Sequence, residues 1–348
     1  MTAMSWNGGR TGREAYNNMK SEKHAGGSTR SSSESIPLPY RGSVKGGESG
    51  EQFALRGSMT ALVTPFHDHE VDWEAVDRLV DRQVEAETDW LVPCGTTGES
   101  PTLTEPELDG LIERVVTRAA GRRPVMAGTG SYCTEKSVER TRRAAALGVE
   151  AGLVVTPYYN RPTQEGLFRH FAAVARSVDL PIVLYNVPVR TGVNLSNDVI
   201  VRLRSEFPNI VGVKDATGSL DSVTDLLSRC DIAVLCGDDA LTLPMMALGA
   251  VGVISVLGNL DPGLMHALTS ASLNDEWEAA RSHHRRVHTL AASLGRFGPN
   301  PIPIKTAMSI QGWIQEEFRL PLCPMDRAAR EDLAKLVRRH GIQETVAA

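Results

Sequence analysis

The sequence predicts an α/β protein: a closed (β/α)8 barrel of the TIM type with a C-terminal helical appendage and a disordered N-terminal extension. Three observations lead there. Eight short runs rich in Val and Ile recur along the chain, and they are apolar throughout instead of alternating, as parallel strands covered on both faces must be. Stretches with helical spacing separate them, such as WEAVDRLVDRQVEA 73–86 and VERTRRAAALG 138–148. No GxGxxG follows the first run, so a doubly wound dinucleotide fold loses its main signature.

The elements follow in order. Residues 1–52 are rich in Gly and Ser (GGSTRSSSES 26–35, KGGESGE 45–51) and cannot bury enough surface to offset their ordering entropy, so disorder is expected. They contain no apolar stretch of the kind a secretory signal needs. Glu14, Glu22, Glu34, Glu48 and Glu51 count against a transit peptide, and a start codon placed too far upstream is an alternative origin. The barrel domain is expected over 53–275. Its strands are MTALVT 59–64, WLVP 90–93, PVMAG 124–128, AGLVV 151–155, IVLYN 182–186, IVGVK 210–214, IAVLC 232–236 and VGVIS 251–255. A helical region is expected over 276–348, with PGLMHALTSASL 262–273 leading into it.

Composition narrows the function. A hydrophobic fraction of 41% with 23% charged residues is that of a globular domain with a full core. A net charge of -5 gives no basic footprint for nucleic acid, and no run has the apolar length of a membrane span. Cys94, Cys133, Cys230, Cys236 and Cys323 are odd in number and lack CxxC spacing; they read as reduced thiols of a cytoplasmic protein.

Active sites of such barrels lie at the C-terminal ends of the strands. The sixth strand ends in Lys214, and within the eight units only Lys136 and Lys214 are lysines. Arg would serve an ion pair equally well but cannot form an imine. At a reference pKa near 10.4, about one lysine in two thousand is neutral at pH 7, so a nucleophilic lysine needs its surroundings to favour the uncharged amine. A buried lysine paired with Asp215 is the competing reading. Tyr185 closes the fifth strand and can be a general acid/base for the next strand's chemistry, or a packing aromatic. Arg190, just beyond it, suits a carboxylate or is an ordinary surface arginine. GTTGE 95–99 combines hydroxyls with glycines that let backbone approach a ligand, or makes a tight turn. His67 and His69 in FHDHE 66–70 raise a metal reading, but the other histidines fall in the tail or in helices, so no metal site is expected.

Taken together, GTTGES 95–100, TPYYNRPTQEG 156–166, YNVPVRTG 185–192, GVKDATG 212–218, GDDA 237–240, GVISV 252–256 and NPIPIK 300–305 resemble the dihydrodipicolinate synthase family over about 53–340. The resemblance implies a Schiff-base lyase that condenses pyruvate with L-aspartate 4-semialdehyde on the diaminopimelate route to lysine. It implies no cofactor, and a homotetramer built as a dimer of dimers. It casts Lys214 as the Schiff-base lysine, Tyr185 as proton donor and acceptor, and Thr96 and Tyr159 as relay partners, Tyr159 entering the neighbouring subunit's site. Thr97 and Ile254 fall at the pyruvate carboxylate, Arg190 at the carboxylate of the second substrate, and Gly237 at the open mouth. A sister aldolase of sugar acids is the rival; the arginine of YNVPVRTG argues against it. A catalytically silent barrel is the remaining alternative, and the intact Lys214, Tyr185, Thr96 and Tyr159 argue against that. Where lysine-inhibited members carry His, His, Asn and Glu, this chain has Glu105, Leu108, Tyr132 and Lys136, with Tyr158 retained, which implies weak feedback by lysine.

Overall fold

The computed structural model describes residues 43–45 and 52–340. The extension expected to be disordered over 1–52 lies outside the described residues, apart from a short stretch near its end. There Ser43–Lys45 pairs antiparallel with Gln52–Ala54, Val44 opposite Phe53. A backbone ladder needs no apolar periodicity, so composition alone did not reveal it.

Eight parallel strands form the barrel: Gly57–Ala61, Trp90–Val92, Met126–Gly128, Ala151–Val155, Ile182–Asn186, Ile210–Asp215, Ala233–Cys236 and Gly252–Ser255. Each pairs with the next in sequence, the eighth pairs with the first, and a bridge between Leu91 and Val125 joins the second to the third. The ring is closed.

The runs are apolar throughout because both faces are buried. Met59, Trp90, Met126, Leu153, Val183, Leu235 and Ile254 fill the interior. Val154, Leu184, Val213, Val234 and Val253 face the surrounding helices. The helices begin where the sequence supplies caps. Asp72, Thr163, Ser196 and Ser219 each accept a backbone N–H of the first turn, and Thr104 with Glu107 forms a reciprocal capping box.

After the eighth strand come Pro262–Leu273, Trp277–Leu294, Ile302–Ile310 and Arg327–Arg339. The helix over Ile302–Ile310 begins within NPIPIK; Pro301 is its N-cap and Pro303 sits in the first turn, where a missing N–H costs nothing. Leu290, Leu294, Ile304, Leu333 and Val337 join the barrel's outer core. None of the described helices is long and apolar enough to cross a membrane.

Arg319 ties the C-terminal region to the helix over Glu105–Ala119. Its Nη1 and Nη2 donate to Glu107 at 2.8 and 2.5 Å, and its guanidinium lies 4.6 Å from the centre of the Phe66 ring. These hydrogen bonds from Arg319 lead the effects that hold the Glu107 carboxyl down to about 2, against the opposing pull of burial. A native carboxyl that is the stronger acid contributes stability above its unfolded pKa, and that contribution is lost as pH falls toward the folded one. Arg319→Met is therefore expected to destabilise the fold by roughly 1–2 kcal/mol at pH 7, allowing for solvent screening. Urea unfolding at a series of pH values should show this gap closing between about pH 4.5 and 2. A gap independent of pH would assign the effect to packing on Phe66.

Candidate active site

The C-terminal ends of the strands open into a cavity of about 300 Å³. Thr96, Thr97, Tyr185, Arg190, Lys214 and Gly237 all line it. Tyr159 and Ile254 are not among the lining residues. Tyr159 is 91% exposed, and Ile254 is fully buried in the barrel interior.

Lys214 reaches the cavity because of an irregularity in its strand. Ile210 faces the outer core and Val211 packs against the inner one; were the alternation regular, Lys214 would face outward with Ile210. The pairing with the fifth strand shifts register between Ile210 and Gly212. Beyond the shift Val213 faces out and Lys214 in, level with Tyr185. The Lys214 Nζ lies 4.3 Å from the centre of the Tyr185 ring. Asp215, the partner in the competing reading, is engaged elsewhere: its Oδ1 accepts from Thr217 N at 3.0 Å and Thr217 Oγ1 at 2.7 Å, and burial pushes its pKa up. None of the described ion pairs involves Lys214. A buried amine beside a phenol, free of a carboxylate, is suited to adding to a carbonyl.

The loops around the mouth are braced by their own polar groups. Asn186 spans the turn after Tyr185, donating to Asn194 Oδ1 and Leu195 O and accepting from Leu195 N. Arg161 Nε donates to Gly192 O at 3.0 Å, joining TPYYNRP to YNVPVRTG. Buried Asp239 accepts from Ser255 Oγ at 2.5 Å and from Val256 N and Leu257 N, fastening the seventh strand's loop to the end of the eighth. Gly237 is required by the packing of strands. A Cβ there would lie 2.7 Å from Ala216 Cβ and 2.9 Å from Asp215 O.

Sequence reasoning missed one wall. Ala291, Leu294, Gly298, Asn300 and Pro303 also line the cavity, all from the C-terminal region. The only local signal was NPIPIK, a proline-rich break between helices. Asn300 reaches two expected site residues: its Nδ2 donates to Thr97 Oγ1 at 2.9 Å, and its main-chain oxygen accepts from Arg190 Nη2 at 2.9 Å. Elsewhere, Glu105 is held by Arg140 and Arg143, and hydrogen bonding led by Arg140 lowers its pKa to about 2. Its charge is thus already neutralised within the fold.

A closed (β/α)8 barrel with these groups at its mouth defines an enzyme, and the comparisons place it among the lyases. Residues 54–340 match the model of the dihydrodipicolinate synthetase family. The 4-hydroxy-tetrahydrodipicolinate synthase of Geotalea daltonii is 47% identical over 288 residues, 82% of this chain and 99% of that protein. The crystal structure of dihydrodipicolinate synthase from Aquifex aeolicus superposes with a TM-score of 0.82 at 44% identity, covering 84% of this chain and all of that one. The chloride-inhibited enzyme from Acinetobacter baumannii, solved in complex with pyruvate, is 41% identical with a TM-score of 0.80 over 83% of this chain and 100% of its own. The chain belongs to the dihydrodipicolinate synthetase family.

The contact at Gly237 separates packing from loop freedom. Gly237→Ala is expected to destabilise the fold by about 1–3 kcal/mol, whereas Gly95→Ala, whose added methyl meets nothing within 4 Å, should stay within about 0.5 kcal/mol of the parent. Thermal unfolding of the two variants side by side checks this.

Proposed function

We propose that this chain acts as a 4-hydroxy-tetrahydrodipicolinate synthase, condensing pyruvate with L-aspartate 4-semialdehyde through a Schiff base on Lys214. The observation that carries the proposal is the buried Lys214 amine over the Tyr185 ring, in a cavity shared with Thr97 and Arg190, within a chain of this family. The neutral amine adds to the ketone carbon of pyruvate; water leaves and an imine forms. Loss of a methyl proton gives the enamine, whose carbon attacks the aldehyde of the second substrate. The resulting alkoxide takes up a proton. The amino group of that substrate then adds to the imine carbon and expels Lys214, closing the ring. Each transfer needs a placed acid or base; Tyr185 is assigned that role, with Thr96 and Tyr159 as its relay toward solvent. Thr97 is assigned the pyruvate carboxylate, with Ile254 behind it in the barrel interior, and Arg190 the second carboxylate. Gly237 keeps the mouth open. An imine is itself an electron sink, so the reaction requires no metal or organic cofactor.

Borohydride reduction in the presence of pyruvate is expected to add one three-carbon unit, at Lys214. Lys214→Arg should abolish the adduct and the activity while leaving the fold intact. Mass mapping that puts the adduct on Lys136 or Lys305 would overturn the assignment.

The same reading includes assembly into a homo-oligomer, a dimer of dimers, in the cytoplasm. Tyr159 is an exposed aromatic held at φ 71°, a left-handed conformation that is uncommon outside glycine. Its sequence neighbour Tyr158 meets Tyr132, which is 48% exposed, ring edge-on at 5.5 Å. Apolar area projected in this way favours burial against another copy. The five cysteines are all free, as a reducing compartment requires. If Tyr159 serves the partner's site, Tyr159→Phe and Lys214→Arg chains, each impaired alone, should recover activity when mixed. One site of the hybrid is then intact and the other lacks both groups. Subunit exchange shown by mass spectrometry without recovery would place Tyr159 in its own chain's site.

A further inference from the structure

The geometry points to Asn300, from the C-terminal region, as a positioning residue that orients the Thr97 hydroxyl toward the pyruvate carboxylate. The inference rests on the reading of Lys214 and Thr97 given above and extends it to a residue outside the barrel strands.

The argument begins with a proton count. Thr97 has a single hydroxyl proton, and its residue is 3% exposed. If Oγ1 is to donate to a carboxylate, its neighbour must donate to it. Asn300 does so: the 2.9 Å bond runs from Nδ2 to Thr97 Oγ1. In this orientation Asn300 Oδ1 is buried without a hydrogen-bond partner. A buried oxygen left bare opposes folding, so folding alone does not account for an amide here. Freeing the proton of Thr97 for an anionic ligand accounts for both facts.

The placement is held from two points. Five residues beyond Asn300, Lys305 Nζ donates to Glu99 Oε1 at 2.6 Å, and Glu99 lies two residues beyond Thr97. The segment bearing Asn300 is thus fastened to the loop bearing Thr97 by a second contact just beyond the first. The main-chain oxygen of Asn300 holds Arg190, a contact that no side-chain substitution at 300 removes. Side-chain variants should therefore separate the two substrates.

The test uses the full chain with Asn300→Ala and Asn300→Asp. Asn300→Ala is expected to raise KM for pyruvate about tenfold and leave KM for aspartate semialdehyde within about twofold, with an unchanged or higher Tm. Asn300→Asp keeps the shape, draws the Thr97 proton to itself and adds a like charge, so KM for pyruvate should rise further. In a Thr97→Val background, Asn300→Ala should add no further change in pyruvate KM. Equal changes in both KM values, no change in either, a fall in Tm that accounts for the lost activity, or full additivity with Thr97→Val would overturn the inference. Borohydride trapping keeps the two claims apart. If the parent chain gives no adduct at Lys214, the underlying reading fails and this inference with it; if the parent is trapped normally and Asn300→Ala binds pyruvate as the parent does, only the role of Asn300 falls.

Discussion

Deep beneath the active-site mouth, Lys305 and Glu99 form an ion pair at 2.6 Å with neither side chain accessible to water. The Lys305 ammonium lies 4.4 Å from the centre of the Phe66 ring and 4.9 Å from that of Phe318, and the second Glu99 oxygen accepts from Arg319 N at 3.2 Å. Burial lowers the Lys305 pKa, and the Glu99 carboxylate opposes that shift. Such a pair adds little net stability over a well-packed apolar one, but removing one partner strands a charge and costs about 3–5 kcal/mol. It also fixes register. Glu99 sits at φ 54°, a left-handed turn at the end of GTTGE, and Lys305 lies in the helix that follows the last wall of the cavity. One contact therefore locks the C-terminal region to the loop after the second strand.

The consequence is a cavity enclosed by two independent pieces of chain. Strand ends supply Thr96, Thr97, Tyr185, Lys214 and Gly237 to its lining, and the appendage supplies much of the apolar lining and the polar contact of Asn300. The cavity lining is more apolar than polar, and directed hydrogen bonds gain strength wherever such a lining keeps water out. Preorganisation is visible in the protein's own hydrogen bonds around the mouth. Asn186, Arg161 and Asp239 bind loop to loop with protein donors and acceptors, so the loops around the cavity are fixed by the fold itself.

Strand packing sets a second constraint. Parallel strands of a closed ring converge closely at some positions, and side chains are excluded there. A Cβ on Gly252 would lie 2.1 Å from Gly57 O, and one on Gly237 would overlap Ala216. Glycine at the mouth thus has a structural cause as well as an open volume. The same economy applies to Glu105. Sequence named Glu105 only as a departure from lysine-inhibited members, and the fold engages it with two arginines.

By itself the sequence determined the class of fold, because uninterrupted apolar runs between amphipathic helices can be buried only as parallel strands covered on both faces. It also determined which residue types stand at the strand ends, and so the candidate site from Thr96 to Gly237. Lys214 and Tyr185 were legible there because each closes an apolar run. Only the tertiary structure decided that Lys214 faces inward. Regular alternation from Ile210 would have turned it outward, and the register shift before Gly212 depends on pairing with the fifth strand, which no local pattern encodes. The role of Asn300 was equally out of reach, since Thr97 and Asn300 lie 203 positions apart. Short-range periodicity reports which face of an element is buried; it carries no information about which distant element covers that face, and the covering element completes the site.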